Sequence, residues 1–157
     1  MLHCIINSPL GNTKISGDIN GISEVKVLNS EEKITENIPI ELKDCVLQLK
    51  EYFAGNRKQF NLKLNAKGTD FQQRVWKQLA QISYGKTTSY LELSKQLGDV
   101  KAIRAVANAN GKNPLWIITP CHRVIGSDGS LTGYAGGLHR KQWLLEHESP
   151  YKQESLF

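Results

Sequence analysis

The hydrophobic periodicity of this chain changes at residues 65–68, and no other feature of the sequence constrains the fold as strongly. Before this segment, short β-rich runs are separated by turn signals such as Asn20-Gly21. After it, apolar residues recur at helical spacing. Because 157 residues suffice for two small domains, we predict an α+β protein with one domain at 1–66 and another at 67–157.

The first domain is predicted to contain a small sheet and one helix. The β-rich runs cover residues 3–7, 13–17 and 22–28. A helix is indicated by Pro39, which a first helical turn tolerates, by the spacing of Leu42 and Leu49, and by a stop at Gly55. Residues 60–64 alternate apolar and polar side chains, as expected of one further strand.

The second domain is predicted to be mainly helical. Thr69 and Gln72 have the spacing of a capping box, and the apolar pattern after them continues to about Tyr84. Two shorter helices then meet at a turn, Gly98-Asp99, and the second of them ends at Asn110-Gly111. This arrangement is typical of a helix-turn-helix, although any antiparallel helix pair shows it.

The net charge of +5 is concentrated in the second domain. Residues 67–148 hold eleven basic and six acidic side chains, and the segments on either side sum to zero. The second helix of the pair combines Lys101 and Arg104 with the small residues Ala105 and Ala109. Such a helix favours close approach to a nucleic-acid backbone. Two alternatives remain open: a protein that is basic without binding nucleic acid, and alanines that pack against other helices.

The cysteines and the hydropathy indicate a cytoplasmic protein. Cys4, Cys45 and Cys121 are odd in number and widely spaced, which favours free thiols in a reducing compartment. No apolar run approaches the roughly 18 residues needed to cross a bilayer. The amino terminus also lacks the pattern of a signal peptide. We therefore expect no membrane association.

The chemistry is expected at the box Pro120-Cys121-His122-Arg123-Val124. A cysteine alone is more often a small buried apolar residue than a nucleophile. The adjacent His122 and Arg123 shift this balance, because both can stabilise a thiolate. Adjacent side chains often diverge, so proton transfer to His122 could require a bridging water.

Several ordered motifs between Thr69 and Glu148 resemble the O6-alkylguanine-DNA alkyltransferase family, also called methylated-DNA–protein-cysteine methyltransferases. They are Ser89-Tyr90, Arg104-Ala105-Val106, Gly111-Lys112-Asn113-Pro114, the cysteine box, Gly133-Tyr134-Ala135-Gly136-Gly137 and residues 143–148. The resemblance implies a ribonuclease-H-like support domain at 1–66. It also implies a DNA-binding and alkyl-transfer domain with a winged-helix-like helix-turn-helix at 67–157.

The resemblance also implies a reaction. The Cys121 thiolate would attack the alkyl carbon on guanine O6, or on thymine O4, in double-stranded DNA. The resulting thioether is inert, so each molecule would act once. Because O6 points into the stacked duplex, the nucleotide must be flipped out. The resemblance implies that the second helix of the helix-turn-helix enters the minor groove. No cofactor and no metal are expected, and the protein is expected to act as a monomer.

Catalytic roles follow from the resemblance, residue by residue. Glu148 and His122 would form a relay that deprotonates Cys121 through a water, with the carboxylate fixing the histidine tautomer. Asn113 would orient the turn that carries the nucleophile. Tyr90 would donate a proton or hydrogen bond to guanine N3. Without the resemblance, we would predict that Glu148 is an exposed, solvated carboxylate and that Tyr90 is a core residue.

Substrate and DNA contacts are implied in the same way. The carbonyls of Cys121 and Val124 would accept from the exocyclic amine, Tyr134 would line the pocket, and the Ala135 N–H would contact O6. Some members carry Ser in place of Ala135, and the smaller side chain could admit bulkier adducts or alkylated thymine. Arg104 would fill the gap left by the flipped base. The other predicted DNA-binding residues are Lys101, Ala105, Ala109 and Arg123.

Two other functions compete with this one. A damage-binding protein related to the alkyltransferases would lack the nucleophile, which Cys121 supplies here. A cysteine hydrolase or redox sensor could also use a Cys-His pair. Neither a helix-turn-helix nor a positive charge confined to 67–148 is needed for that chemistry.

Overall fold

The computed structural model describes residues 1–134 and 136–150. The chain separates into two compact units. The first consists of Met1–Lys67 together with Pro114–Ile118, and the second of Gly68–Asn113 together with the chain from Thr119 onward. The apolar run after Pro114 is therefore buried in the first unit, whereas the sequence indicates only that this run is buried.

The first unit contains a three-stranded antiparallel sheet. Its strands are β1 (Leu2–Ile6), β2 (Thr13–Asp18) and β3 (Gly21–Val27), which pair in the order β1-β2-β3. The turn between β2 and β3 requires glycine. Gly21 has a φ of 128°, and a Cβ there would lie 2.8 Å from the carbonyl oxygen of Lys63. The three strands agree with the predicted runs to within two residues at each end.

One helix, α1 (Ile40–Phe53), covers this sheet after Pro39. Its Leu42 and Leu49 are completely buried, as is Ile15 of β2. The predicted strand at 60–64 is wrong in extent, because only Leu64 pairs, through an isolated bridge to Ile22.

The segment Pro114–Ile118 is held in the first unit by backbone hydrogen bonds to β3. The Val25 N–H donates to the carbonyl of Pro114 at 2.9 Å, and the Trp116 N–H donates to the carbonyl of Val25 at 3.0 Å. Leu115 and Trp116 are buried. Strand pairing thus holds this segment through the carbonyl of Pro114 and the N–H of Trp116.

The second unit begins with α2 (Asp70–Leu79), which the predicted capping box starts. The Thr69 hydroxyl accepts from the Gln72 N–H at 3.1 Å, and the Gln72 side-chain carbonyl accepts from the Thr69 N–H at 2.9 Å. The helix ends earlier than predicted. The Ile82 N–H donates to the carbonyl of Leu79, three residues back, and such tight bonds close a helix rather than extend it.

The expected helix-turn-helix follows. The remaining elements are β4 (Thr88–Ser89), α3 (Tyr90–Gln96), a 3₁₀ turn (Val100–Ala102), α4 (Ile103–Gly111), β5 (Val124–Ile125) and α5 (Leu138–Glu148). Ser89 caps α3 by accepting from the Glu92 N–H, and Gly98 has the left-handed conformation that ends α3, with a φ of 89°. Strands β4 and β5 pair in parallel, which joins the start of α3 to the segment after the cysteine box. No described helix has the length and apolar character required to cross a membrane.

Candidate active site and DNA-binding face

Cys121 opens a single 3₁₀ turn, Cys121–Arg123, directly after Pro120. The backbone at Pro120 (φ −82°, ψ 65°) forms an inverse γ-turn, in which the Cys121 N–H donates to the carbonyl of Thr119 at 2.8 Å. The Asn113 side-chain amide donates to the same carbonyl, also at 2.8 Å. Asn113 thereby ties the carboxyl end of the helix-turn-helix to the turn that carries the cysteine.

The Cys121 side chain is buried, with 7% of its surface exposed. Burial raises the pKa of the Cys121 thiol, and this effect outweighs the lowering by the side chains of Asn113 and Tyr134 and by the charge of Lys141. The resting cysteine is therefore a thiol at neutral pH. Nucleophilic attack by this sulfur requires a base.

The two residues that follow Cys121 in the chain, His122 and Arg123, form a buried array with Glu148. His122 Nε2 is 2.7 Å from Glu148 Oε2. Arg123 binds the same carboxylate in two places, through Nε to Oε1 at 2.7 Å and through Nη2 to Oε2 at 3.0 Å. The residues His122, Arg123 and Glu148 are 0%, 6% and 3% exposed. A bidentate pair of this kind compensates the burial of both charges.

The array has a definite protonation state. Burial alone would raise the pKa of the Glu148 carboxyl, but hydrogen bonds and charges from His122 and Arg123 outweigh it and hold this pKa well below its usual range. Burial lowers the pKa of His122 more than Glu148 raises it. At neutral pH the array is thus a carboxylate, a guanidinium and a neutral imidazole.

The tautomer of His122 follows from this state. An ionised Glu148 can only accept, so Nε2 of the imidazole must carry the proton. Nδ1 is then an unprotonated acceptor. It is buried and has no hydrogen-bond partner among residues 1–134 and 136–150. His122 therefore presents a basic nitrogen that nothing in the described chain occupies.

Two tyrosines and a lysine form a second group around Cys121. Lys141, on α5, is completely buried and donates to the carbonyl of Thr132 at 2.9 Å. Its Nζ lies 5.9 Å from the ring centroids of both Tyr90 and Tyr134. Burial lowers the pKa of Lys141 to about 8, while Cys121 has the opposite effect. The Tyr90 hydroxyl makes long hydrogen bonds, at 3.4 Å to the Thr132 carbonyl and 3.5 Å to that of Gly133.

Three of the predicted DNA contacts are exposed, one in the 3₁₀ turn before α4 and two on α4 itself. Lys101, Arg104 and Ala105 are all exposed. Ala109 is not, since it is 2% exposed and its carbonyl accepts from Trp76 Nε1 at 2.9 Å. The prediction that Ala109 contacts DNA is therefore corrected. Ala109 faces α2, because the indole of Trp76 packs on that side of α4.

Arg123 also requires correction. Its guanidinium is buried, it donates to Glu148 and to the carbonyl of Ile82 at 2.6 Å, and it lies 5.7 Å from the centroid of the Tyr84 ring. In these contacts each of the three guanidinium nitrogens donates one hydrogen bond inside the protein. The guanidinium of Arg123 is too deeply buried to contact a DNA phosphate, and instead it neutralises the charge of Glu148.

Of the remaining predicted residues, the structure describes Val124 and Tyr134. Val124 is completely buried in β5, so only its backbone is suited to contact a substrate. Tyr134 is partly buried next to Lys141. Ala135 lies outside the residues that the structure describes.

Comparison with known proteins identifies the family. Residues 1–66 match the profile of the 6-O-methylguanine DNA methyltransferase ribonuclease-like domain, and residues 70–150 match that of the DNA-binding domain. The chain belongs to the 6-O-methylguanine DNA methyltransferase family.

Individual relatives agree with this membership. The chain is 44% identical to the methylated-DNA–protein-cysteine methyltransferase of Methanosarcina barkeri over 155 residues, which covers 94% of this chain and 97% of the relative. It is 46% identical to the enzyme of the same name from Mycobacterium bovis over 147 residues, covering 91% and 89%. The crystal structure of Mycobacterium tuberculosis OGT in complex with DNA superimposes with a TM-score of 0.84 at 45% identity, covering 95% of each chain.

Family membership confirms the resemblance seen in the sequence and the α+β fold with a helical DNA-binding domain. It also makes the chain a DNA-binding methyltransferase. The DNA-binding profile spans 70–150, so Cys121, its charged array and the exposed face of α4 all belong to one DNA-binding domain.

Sequence reasoning missed two buried polar residues near Cys121, Lys141 and Asn110. Both could be found by helical spacing. Lys141 precedes Leu144, Leu145 and Glu148 by three, four and seven residues, which places it on the buried face of α5. Asn110 follows Val106 by four residues on the buried face of α4. A polar residue at an apolar position is the signal in each case.

Proposed function

We propose that this member of the 6-O-methylguanine DNA methyltransferase family repairs DNA by moving an alkyl group from guanine O6 to its own Cys121, once per molecule. The supporting observation is the buried array of His122, Glu148 and Arg123 next to a buried thiol. A thiol kept protonated by burial needs a base, and the array orients an unprotonated nitrogen of His122 for that purpose.

The reaction would begin with proton removal. The Cys121 thiol gives its proton, through a water, to Nδ1 of His122, while Glu148 stabilises the imidazolium that forms. Arg123 keeps Glu148 ionised throughout, because its two hydrogen bonds hold the carboxylate. The thiolate sulfur then attacks the alkyl carbon in line with its bond to O6.

The guanine from which the alkyl group is removed must regain a proton. The new bond joins the alkyl carbon to Sγ of Cys121, and the electron pair of the broken bond remains on the purine. Tyr90 donates toward N3, so that the base leaves as neutral guanine after regaining the one proton that Cys121 lost. Lys141 stabilises the thiolate through its charge and holds the loop at Thr132 that accepts from Tyr90.

Transfer would occur once because the thioether product is inert. A methyl group on sulfur is a far poorer electrophile than one on guanine O6, and regeneration would need a second nucleophile in line with it. Besides O6-alkylguanine, O4-alkylthymine is a second substrate to test, because residue 135 carries only a methyl side chain.

DNA would be held by the exposed face of α4 in the minor groove. Arg104 on α4 and Lys101 in the 3₁₀ turn just before it supply positive charge, and Ala105 allows the helix to approach closely. The target nucleotide is flipped out to reach Cys121, and the side chain of Arg104 fills the gap in the base stack. Minor-groove binding reads sequence poorly, which suits a protein that must act at any damaged guanine.

The two domains would divide the work. The domain at 67–157, apart from the segment Pro114–Ile118 that packs in the first unit, binds DNA and carries the reaction, and residues 1–66 form a supporting domain. This division is consistent with the match of 70–150 to a DNA-binding profile.

Intact mass spectrometry tests the proposal. The protein is mixed with a duplex containing one O6-methylguanine, and we expect a gain of a single methyl group even with excess duplex. Cys121→Ser should gain none, while Cys45→Ser, which changes another buried cysteine, should still gain one. Absence of any gain would support a damage-binding role instead. Repeated turnover would indicate a hydrolase or other true catalyst.

A further inference from the structure

We infer that Asn110 is a positioning residue for the reaction: its side-chain amide donates to the hydroxyl oxygen of Tyr90 and so prepares the phenol to donate to N3 of the flipped guanine. This inference rests on the proposed function, because it concerns the same base in the same site. Asn110 lies in the last turn of α4 and is 2% exposed. It shares the buried side of this helix with Val106 and Ala109.

The cysteine turn fixes the orientation of the Asn110 amide. Nδ2 lies 3.5 Å from the carbonyl oxygen of Cys121, a long contact. A carbonyl can only accept, so the nitrogen of the amide, and not its oxygen, faces the cysteine turn. This nitrogen carries two hydrogens, and only one of them is directed at Cys121. The second hydrogen is available to another acceptor close by.

That acceptor is the hydroxyl oxygen of Tyr90. The side chains of Asn110 and Tyr90 are hydrogen-bonded. The Tyr90 hydroxyl directs its only hydrogen at the carbonyls of Thr132 and Gly133, at 3.4 Å and 3.5 Å. In the bond with Asn110 the phenol oxygen is therefore the acceptor and Nδ2 is the donor. The Asn110 side chain thus joins the backbone of the nucleophile to the residue that we propose donates to the base.

A donor at the phenol oxygen has two effects on Tyr90. First, it favours negative charge on this oxygen and makes the hydroxyl a stronger hydrogen-bond donor. Burial raises the pKa of Tyr90, and the side-chain hydrogen bonds from Thr132 and Asn110 act in the opposite direction. Second, it leaves the phenol hydrogen on the side away from Asn110. The two bonds that this hydrogen makes there are long, so N3 of an incoming base can replace them.

The benefit grows as the reaction proceeds. When the bond between O6 and the alkyl carbon breaks, its electron pair stays on the purine, and N3 becomes more basic. The Tyr90 hydrogen moves toward N3, and the phenol oxygen gains negative charge. Asn110 stabilises this charge by donating to the oxygen, and such a donor lowers the barrier because its effect is largest in the transition state. Asn110 therefore acts through Tyr90 and not on the base.

The test removes the acceptor on the base and the donor on the protein separately. One duplex carries O6-methylguanine and the other O6-methyl-3-deazaguanine, in which a C–H group replaces N3. Single-turnover rates are measured for the wild type and for Asn110→Leu, which keeps the volume and removes the amide donor. We expect Asn110→Leu to slow transfer from O6-methylguanine about tenfold, the effect of one hydrogen bond to a group that gains charge. Transfer from the 3-deaza duplex should be nearly unaffected.

Two further variants control for other effects of the substitution. Asn108→Leu, an exposed change on the same helix, should leave the ratio of the two rates unchanged, because any effect on DNA binding applies to both duplexes. Tyr90→Phe removes the hydroxyl, so adding Asn110→Leu to it should slow transfer from O6-methylguanine no further. If Asn110→Leu slows Tyr90→Phe and the wild type by the same factor, Asn110 acts independently of Tyr90 and the inference is overturned.

The other outcomes also decide between specific explanations. Equal slowing of both duplexes by Asn110→Leu would overturn the inference, because Asn110 would then act only by holding the cysteine turn. A wild type with equal rates on both duplexes would overturn it too, since Asn110 would have no contact at N3 to support. Should Asn110→Leu fail to fold, Asn110→Ala supplies the comparison. A wild type that takes the methyl group from neither duplex would overturn the proposed function itself.

Discussion

His122 Nε2 lies 2.7 Å from Glu148 Oε2, although 26 residues separate them in the chain. Both side chains are almost completely buried. The carboxylate therefore determines which imidazole nitrogen carries the proton, and it does so in a place where water cannot compete. Arg123 completes the relationship, because its charge and hydrogen bonds add to the hydrogen bond from His122 in keeping Glu148 ionised at this depth.

Replacement of Glu148 by Gln tests this relationship. The amide would leave the buried Arg123 without a counter-charge, which costs about 3–5 kcal/mol of stability. It could also donate to Nε2 of His122 and thereby place the imidazole proton on Nδ1, where it blocks the base. A wrong tautomer of this kind slows catalysis by up to about 10⁴-fold. We expect both a lower unfolding free energy and a much lower single-turnover rate.

The matched control is Glu146→Gln on the exposed side of the same helix. It should change neither the unfolding free energy in urea nor the rate of methyl transfer. Should Glu148→Gln react as fast as the wild type, His122 would not be the base.

Stability should depend on pH through His122. Burial lowers the pKa of His122 in the folded protein, so the unfolded chain binds the proton first as the pH falls below about 6.5. The unfolding free energy should therefore decrease from that pH downward, by at most about 1.4 kcal/mol per pH unit. Glu148 acts in the same direction at lower pH: its folded pKa is depressed, so its contribution is complete above its ordinary value of 4.5 and is lost as the pH falls below that value.

Urea titrations of the wild type and of His122→Gln between pH 7.5 and pH 5, a range of roughly two and a half units around the imidazole pKa, measure this effect. The unfolding free energy of the wild type should approach that of the variant as the pH falls. The reason is that the variant has no proton to gain at this position. Parallel curves would show that His122 does not titrate differently in the folded and unfolded states.

Local signals made much of the fold predictable. The capping box at Thr69 and the turn at Asn20-Gly21 act over a few residues, so the sequence displays them directly. The end of α2 was harder to predict from the sequence. The apolar spacing continues to Ile82, whereas the hydrogen bonds already tighten after Leu79. Periodicity reports which side faces the core and not where a helix closes.

The site shows the same division between local and distant causes. The cysteine box predicts a reactive thiol because its residues are adjacent. Nothing in the sequence shows that Arg123 turns inward to Glu148, or that Trp76 covers Ala109, because these contacts join distant parts of the chain. Small or basic residues on a helix fit a DNA contact and a buried contact equally well until tertiary packing decides.

Lys141 should support the reaction through its charge. Lys141→Met keeps the buried aliphatic stem and removes the ammonium that lowers the pKa of Cys121. We expect about tenfold slower methyl transfer at pH 7, corresponding to a shift of about one unit in the thiol pKa. Because the pKa of Lys141 is about 8, the wild type should lose this advantage as the pH rises beyond that value.

The measurement is the ratio of wild-type to variant single-turnover rates between about pH 7 and pH 9.5, on either side of the lysine pKa. Lys95→Met, on the exposed face of α3, controls for a general change in charge. A ratio that stays constant with pH would mean that Lys141 acts only through packing.

Arg104 should matter for DNA and not for the chemistry. The side chain is exposed on α4, where we propose that it fills the gap left by the flipped nucleotide. Arg104→Ala should therefore slow transfer from a duplex containing O6-methylguanine at least about tenfold. Flipping the nucleotide costs a few kcal/mol of lost stacking, and the variant has no side chain in the gap to offset this cost. Transfer from the free base O6-methylguanine, which needs no flipping, should proceed at the wild-type rate. Arg74→Ala removes another exposed arginine, from α2, and should affect neither reaction. Equal slowing with duplex and free base would assign Arg104 a structural role, and no slowing with the duplex would exclude it from the gap.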